Sequence, residues 1–164
     1  MAIYFPSQNI QEIGGQLQFT GSQIVQVTET RSTATISCAN WATENFIFSA
    51  SITPTQATNK IHVYMFLSNR MDAGAGTWSL AYMRLRVNAT GRSNVLLIQS
   101  GWNGTWRNTI HSYQKTYVDS PGSTNAQTYS VFGLNYPTGT CFYNNSGQQN
   151  SDGFIYLRLT EVTA

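Results

Sequence analysis

Charge is what this sequence has least of. Only 10% of its 164 residues are Asp, Glu, Lys or Arg, and nine basic against seven acidic residues leave a formal charge of +2. These charges are scattered, so no basic stripe exists to track a phosphate backbone, and nucleic acid is not expected as a partner. Cysteine is nearly absent. Cys38 and Cys141 stand far apart, with no CxxC and no His at ligand spacing, so no metal site and no cofactor are expected. The pair reads as two buried thiols in preference to a disulfide, whose geometry sequence alone does not supply. Nothing approaches the ~20 apolar residues of a membrane-spanning helix, so no membrane insertion is expected. The opening MAIYFPSQNI has neither the basic start nor the apolar run of a signal peptide, and the chain is expected to be used as synthesised. Helical periodicity is missing almost throughout.

What remains is strand chemistry. Hydrophobic residues make up 41% and aromatics 13%, and the polar balance is Ser, Thr, Asn, Gln and Gly. Runs with period-two alternation predict strands near 23–29, 33–38, 46–52, 60–68, 78–88, 94–99, 109–118, 127–136, 139–144 and 153–162. Between them lie breakers such as TPTQATN, RMDAGAG, NATGRS, DSPGSTN and NNSGQQNSDG. About ten strands without room for crossover helices predict an all-β fold, an antiparallel β-sandwich that is jelly-roll-like. Residues 1–164 are expected to form a single domain, with 1–22 as an N-terminal arm or docking segment. The final SDGFIYLRLTEVTA reads as a turn and a strand that ties the C-terminus into a sheet.

Three strands carry large side chains on both faces. Ile155, Leu157 and Leu159 oppose Phe154, Tyr156, Arg158 and Thr160; Ile61, Val63, Met65 and Leu67 oppose His62, Tyr64 and Phe66; Ala81, Met83, Leu85 and Val87 oppose Trp78, Leu80, Tyr82, Arg84 and Arg86. The aliphatic sets are the expected core. A solvated outer face should be Thr, Ser, Lys and Glu, so aromatics there predict a covering layer. A loop of the same chain would serve, but the loops are short and glycine-rich, so neighbouring subunits are the expected cover. Tyr64, Phe66, Trp78, Tyr82, Arg84, Tyr156 and Arg158 are the expected oligomer interface.

The inventory for catalysis is thin, and no enzyme is expected. Glu12, Glu29, Glu44, Asp72, Asp119, Asp152 and Glu161 are not closely spaced, and Asp72, Asp119 and Asp152 sit in turn contexts that suit Asp for local hydrogen bonding. His62 and His111 fall inside strands without a G-x-S-x-G elbow. The glycines of DAGAGTW lack the Gly-Lys-Ser/Thr of a phosphate loop. SGWNGTWRN is the expected ligand-binding loop: Trp102 and Trp106 can stack on sugar rings while Asn103 and Arg107 bond hydroxyls or carboxylates, unless the indoles fold back to cap the core. The sequons at Asn88, Asn103 and Asn144 read as by-products of an Asn/Ser/Thr-rich composition.

The last third resembles the C-terminal modules of bacteriophage tail fibres and other virion appendage or capsid decoration proteins, notably of phages infecting marine bacteria and cyanobacteria. A P-G-[ST] turn, a T-Y strand, an aromatic-Asn strand and a close near L-x-E-[IV] are matched by Pro121, Gly122, Thr128, Tyr129, Tyr143, Asn144, Leu159, Glu161 and Val162. FIFSASITPTQATNKIHVYMFLS resembles the paired strands of that family around an I-T-P turn followed by Asn-Lys. The resemblance implies a non-enzymatic β-sandwich protein of the virion, assembled in the host cytoplasm. It implies a homotrimer, partners among other capsid or tail proteins, and attachment to a host surface, including a host glycan. The start at Met1 without shaft repeats suits a short appendage better than a long fibre. A lectin-like carbohydrate-binding module is the alternative.

Overall fold

The computed structural model describes residues 9–13, 16–38, 44–72, 78–88, 92–103, 109–137, 140–143 and 155–164. Twelve strands run through them: β1 (Asn9–Ile13), β2 (Gln16–Thr20), β3 (Ile24–Ser32), β4 (Ile36–Cys38), β5 (Asn45–Ile52), β6 (Lys60–Asp72), β7 (Trp78–Val87), β8 (Arg92–Asn103), β9 (Thr109–Asp119), β10 (Gln127–Pro137), β11 (Thr140–Tyr143) and β12 (Ile155–Val162). No helix occurs among the described residues. The antiparallel β1–β2 hairpin, within the segment expected to be an arm, is a two-stranded sheet that the alternation in the sequence did not reveal.

The pairing of the other ten strands is nested, and this decides the fold. The first pairs with the last, β3 with β12; then β4 with β11, β5 with β10, β6 with β9 and β7 with β8, all antiparallel. A long hairpin paired this way and rolled up is a jelly roll, with strand order β3-β12-β6-β9 in one sheet and β5-β10-β7-β8 in the other. The short β4–β11 pair extends the first sheet alongside the far end of β6.

Alternation puts the aliphatic faces inward as the sequence predicts. Ile61, Val63, Met65 and Leu67 of β6, Met83, Leu85 and Val87 of β7, and Ile155, Leu157 and Leu159 of β12 are buried in one core shared by both sheets. The rule breaks at β5, where Ile47 and Phe48 are consecutive and both buried. Val131 pairs Phe48 while Phe132 pairs Phe46, so Ile47 is the extra residue of a bulge, which turns two neighbours to the same side. Fully burying an aliphatic side chain of this size stabilises by about 1.5–3 kcal/mol, so this core supplies most of what holds the sheets together. At the edge of the first sheet, β3 leaves Ile24, Val25 and Val27 exposed.

Candidate functional site

The outer face of the first sheet is built in rows, because cross-strand register lines side chains up across strands. One row runs Arg31, Tyr156, Phe66, Gln114 over β3, β12, β6 and β9; the next runs Glu29, Arg158, Tyr64, Thr116. In the first row aromatics occupy the middle and polar groups the ends; in the second, Arg158 stands beside Tyr64 in the middle. Glu29, Arg31, Tyr64, Phe66, Gln114 and Tyr156 line an open groove of about 670 Å³. Tyr64 and Tyr156 meet edge to face, with centroids 6.1 Å apart at 66°.

A charged network fixes one wall of this groove. Arg158 Nε donates to Glu29 Oε1 at 2.7 Å and to the Tyr156 hydroxyl at 2.8 Å, and its guanidinium lies 5.5 Å from the Tyr156 ring centroid. Bonds from Tyr156 and then Arg158 hold the Glu29 carboxyl below the usual carboxylate range, so it stays ionised. Burial, followed by its bond to Glu29, pushes the Tyr156 phenol up, so it stays protonated and able to donate.

The outer face of the second sheet carries a cluster of similar kind. Arg84 and Arg86 of β7 each reach one oxygen of Glu44. Arg86 also lies 5.3 Å from the ring centroid of Phe132, which packs edge to face on Phe46 at 5.8 Å. Phe46 is 53% exposed, so this aromatic pair is open at the surface. Among the described residues, the buried Nε of Arg86 meets no acceptor.

The residues expected to share an oligomer interface are therefore divided. Tyr64, Phe66, Tyr156 and Arg158 share the first face, whereas Arg84 lies on the opposite side of the molecule. Trp78 and Tyr82 belong to the strand of Arg84, with side chains outside the described residues. In the expected ligand-binding loop, Trp102 and Asn103 fall at the end of β8, where their backbones pair with Ser79 and Trp78, so the strand runs farther than the sequence suggested. Their side chains, and all of Trp106 and Arg107, lie outside the described residues. No set of three or more His, Cys, Asp or Glu among the described residues could hold a metal ion. No described helix is long and apolar enough to cross a membrane.

Two carboxylates have roles the sequence did not disclose. Asp119 ends β9 as a buried acceptor for the Tyr129 hydroxyl at 2.8 Å, a partner ten residues on that its turn context did not disclose. Glu161, fully buried in β12, accepts from Thr55 N at 2.7 Å, Thr55 Oγ1 at 2.8 Å, Asn59 Nδ2 at 2.7 Å and Gln26 Nε2 at 2.6 Å. Burial is the largest influence on this carboxyl and opposes its charge, but the bonds from Asn59, Gln26 and Thr55 together outweigh it and bring the pKa to about 2. The I-T-P turn and the L-x-E-V close thus form one hydrogen-bonded unit.

No protein-family model matches the chain, and no curated protein matches it. Among solved structures it is similar to a mutant VP2 protein of infectious bursal disease virus in derived T=1 particles, with a TM-score of 0.44 and 12% identity over 96% of this chain and 42% of that one. It is similar at the same TM-score and identity to a structure of the Gt strain of that virus, over 97% of this chain and 43% of that one. Dimeric latent PorU from Porphyromonas gingivalis follows at a TM-score of 0.38 and 9% identity, over 89% of this chain and 14% of that one. The chain spans about two-fifths of the length of the viral proteins. At such scores the likenesses carry no weight for function, and the nested pairing alone defines the fold.

Proposed function

We propose that this chain is a non-enzymatic structural protein of a virion, a fibre, knob or capsid decoration that assembles with copies of itself and other particle proteins and contributes to host-surface attachment. The observation that carries the reading is the outer face of the second sheet. A solitary sandwich in water has little use for the exposed Phe46 set edge to face on Phe132, with the guanidinium of Arg86 against the second ring. A neighbouring subunit would cover the rings. Aromatics with arginine are the residue types enriched at protein interfaces. The apolar edge of β3, with Ile24, Val25 and Val27 exposed, is a second surface that favours pairing over solvation. Jelly rolls recur in viral capsids and in lectins, and the resemblance of the final third to phage appendage modules favours the former and gives the number of subunits as three.

Two measurements test this. Light scattering on the purified chain should give about three times its 18.2 kDa mass, and Phe46→Arg should shift it to the monomer with the fold retained. Mass spectrometry of purified particles from the source should find the chain at a stoichiometry of many copies. A monodisperse monomer would refute the assembly, and absence from the particles would refute the virion role.

A further inference from the structure

We propose that the groove on the outer face of the first sheet, floored by Tyr64, Phe66 and Tyr156, is a saccharide-binding site. The proposal deepens the attachment part of the reading above and rests on it.

Geometry comes first. In a closed ring of three, two opposite sandwich faces cannot both lie flat against neighbours, because face-to-face stacking of opposite surfaces propagates as a column instead of closing. If the Phe46 face is the subunit contact, the groove is left to solution. Its shape agrees: a hollow of about 670 Å³ falls within the roughly 300–1,000 Å³ typical of small-ligand sites. A flat partner surface would leave it full of water.

The chemistry then selects the ligand. A sugar ring offers an apolar C–H face and an array of hydroxyls that both donate and accept. The groove offers the complement of each. The row Arg31, Tyr156, Phe66, Gln114 spans four adjacent strands, about 14 Å at about 4.8 Å per strand. It sets two aromatic rings in the centre, a guanidinium at one end and a carboxamide at the other. Glu29 adds a carboxylate acceptor beside Tyr156, held ionised by the bonds already described. Three planar polar groups around an aromatic floor suit vicinal hydroxyls, which present pairs of atoms at a matching spacing.

Other ligands fit less well. A phosphate or nucleotide is less well suited, because the Arg31 guanidinium shares the lining with the ionised Glu29 carboxylate, which would repel an anion. An extended peptide would gain its main-chain bonds at a sheet edge, not on a face. The wall is also ordered before any ligand arrives. Tyr156 is fixed by its hydroxyl bonds and by its edge-to-face contact with Tyr64, so little side-chain freedom is lost on binding.

The test uses the full chain on an array of immobilised neutral and acidic oligosaccharides, followed by calorimetric titration of the strongest hit. Tyr64→Ala should weaken binding by about tenfold or more, as loss of one aromatic contact implies. Gln114→Ala should weaken it several-fold. Both variants should remain folded, with the circular dichroism spectrum and oligomer mass of the parent, and Asn125→Ala, in the exposed turn before β10, should leave binding unchanged. An array without hits overturns the proposal, as does a hit that survives both groove variants or is lost with Asn125→Ala. Dissociation of the oligomer by Tyr64→Ala would also overturn it, since the face would then be a subunit contact. Particle mass spectrometry and light scattering read the virion role separately, so a silent array beside a trimeric particle protein refutes the groove alone.

Discussion

Replacing Glu161 with Gln would remove a charge without removing shape, and its consequences can be worked out atom by atom. One oxygen of the native carboxylate takes three bonds, from the backbone and hydroxyl of Thr55 and from Asn59; the other takes the bond from Gln26. In the E161Q variant the new amide nitrogen would face the Gln26 amide donor. Gln26 cannot simply turn over, because the same nitrogen also donates to Thr53 O at 2.7 Å. A carboxyl brought from 4.5 to about 2 corresponds to roughly 3 kcal/mol at about 1.4 kcal/mol per pH unit. The turn bearing Thr55 and Gln56 is exposed, so water screens part of this, and about 2 kcal/mol is the expected loss. For a chain of this size that lowers the thermal midpoint by about 4–8 °C. Because folding depresses this pKa, the contribution is whole above about pH 4.5 and is lost as pH falls through about 2. The melting curves of parent and E161Q, followed at fixed protein concentration, should therefore stand apart near neutral pH and converge in strong acid. A separation of the same size at both ends would refute an electrostatic role for Glu161.

Further expectations concern single contacts. Asn88 adopts a left-handed conformation, φ 55°, and its amide bonds both Gln127 Oε1 and the backbone N–H of Thr128, each at 2.8 Å. Asn88→Ala should lose about 2 kcal/mol in denaturant unfolding, from lost bonds plus backbone strain, while Asn88→Gly should lose only about 1; equal losses would remove the strain argument. Tyr129→Phe should lose about 1 kcal/mol through its bond to Asp119 and leave the oligomer mass unchanged by light scattering. Arg158→Ala should move the thermal midpoint by no more than a degree or two in low or high salt, because the Glu29 pair is half exposed; a larger drop would mean that the network supports the fold and not only the groove.

Fold class was legible because alternation is a local signal. Residues 60–68, 78–88 and 153–162 each announce a buried face by period two, and wherever those aliphatic side chains are among the described ones the structure buries them. The bulge at Ile47 was not legible, because it follows from how β5 meets β10 and not from β5 alone. β8 was read too short: glycines at 101 and 104 look like a loop, yet strand pairing with β7 continues through Asn103. The outer aromatic faces were legible as aromatics. Their division between opposite sides was not, since it depends on which strands share a sheet.

Nested pairing explains both what could be read and what could not. In a rolled hairpin each strand meets a partner about as far from the other end of the chain, so every signal that depends on such a meeting is split in the sequence. Cys38 and Cys141 look unrelated, yet β4 and β11 set them directly opposite one another. Asn88 looks like a sequon and is a clamp on β10. Glu161 looks like one more scattered acid, while Thr55 and Asn59, more than a hundred positions earlier, exist in the fold as its donors. The same geometry accounts for the terminal strand. Because β12 closes against β3 on one side and β6 on the other, it carries a core face, a turn-holding carboxylate and the central aromatic of the groove in eight residues. A strand placed at the centre of a sheet must satisfy both neighbours and both faces at once. That is why alternating aromatic and aliphatic residues stand at this end of the chain, and why Tyr156, Arg158 and Glu161 take their meaning from residues that the sequence places far away.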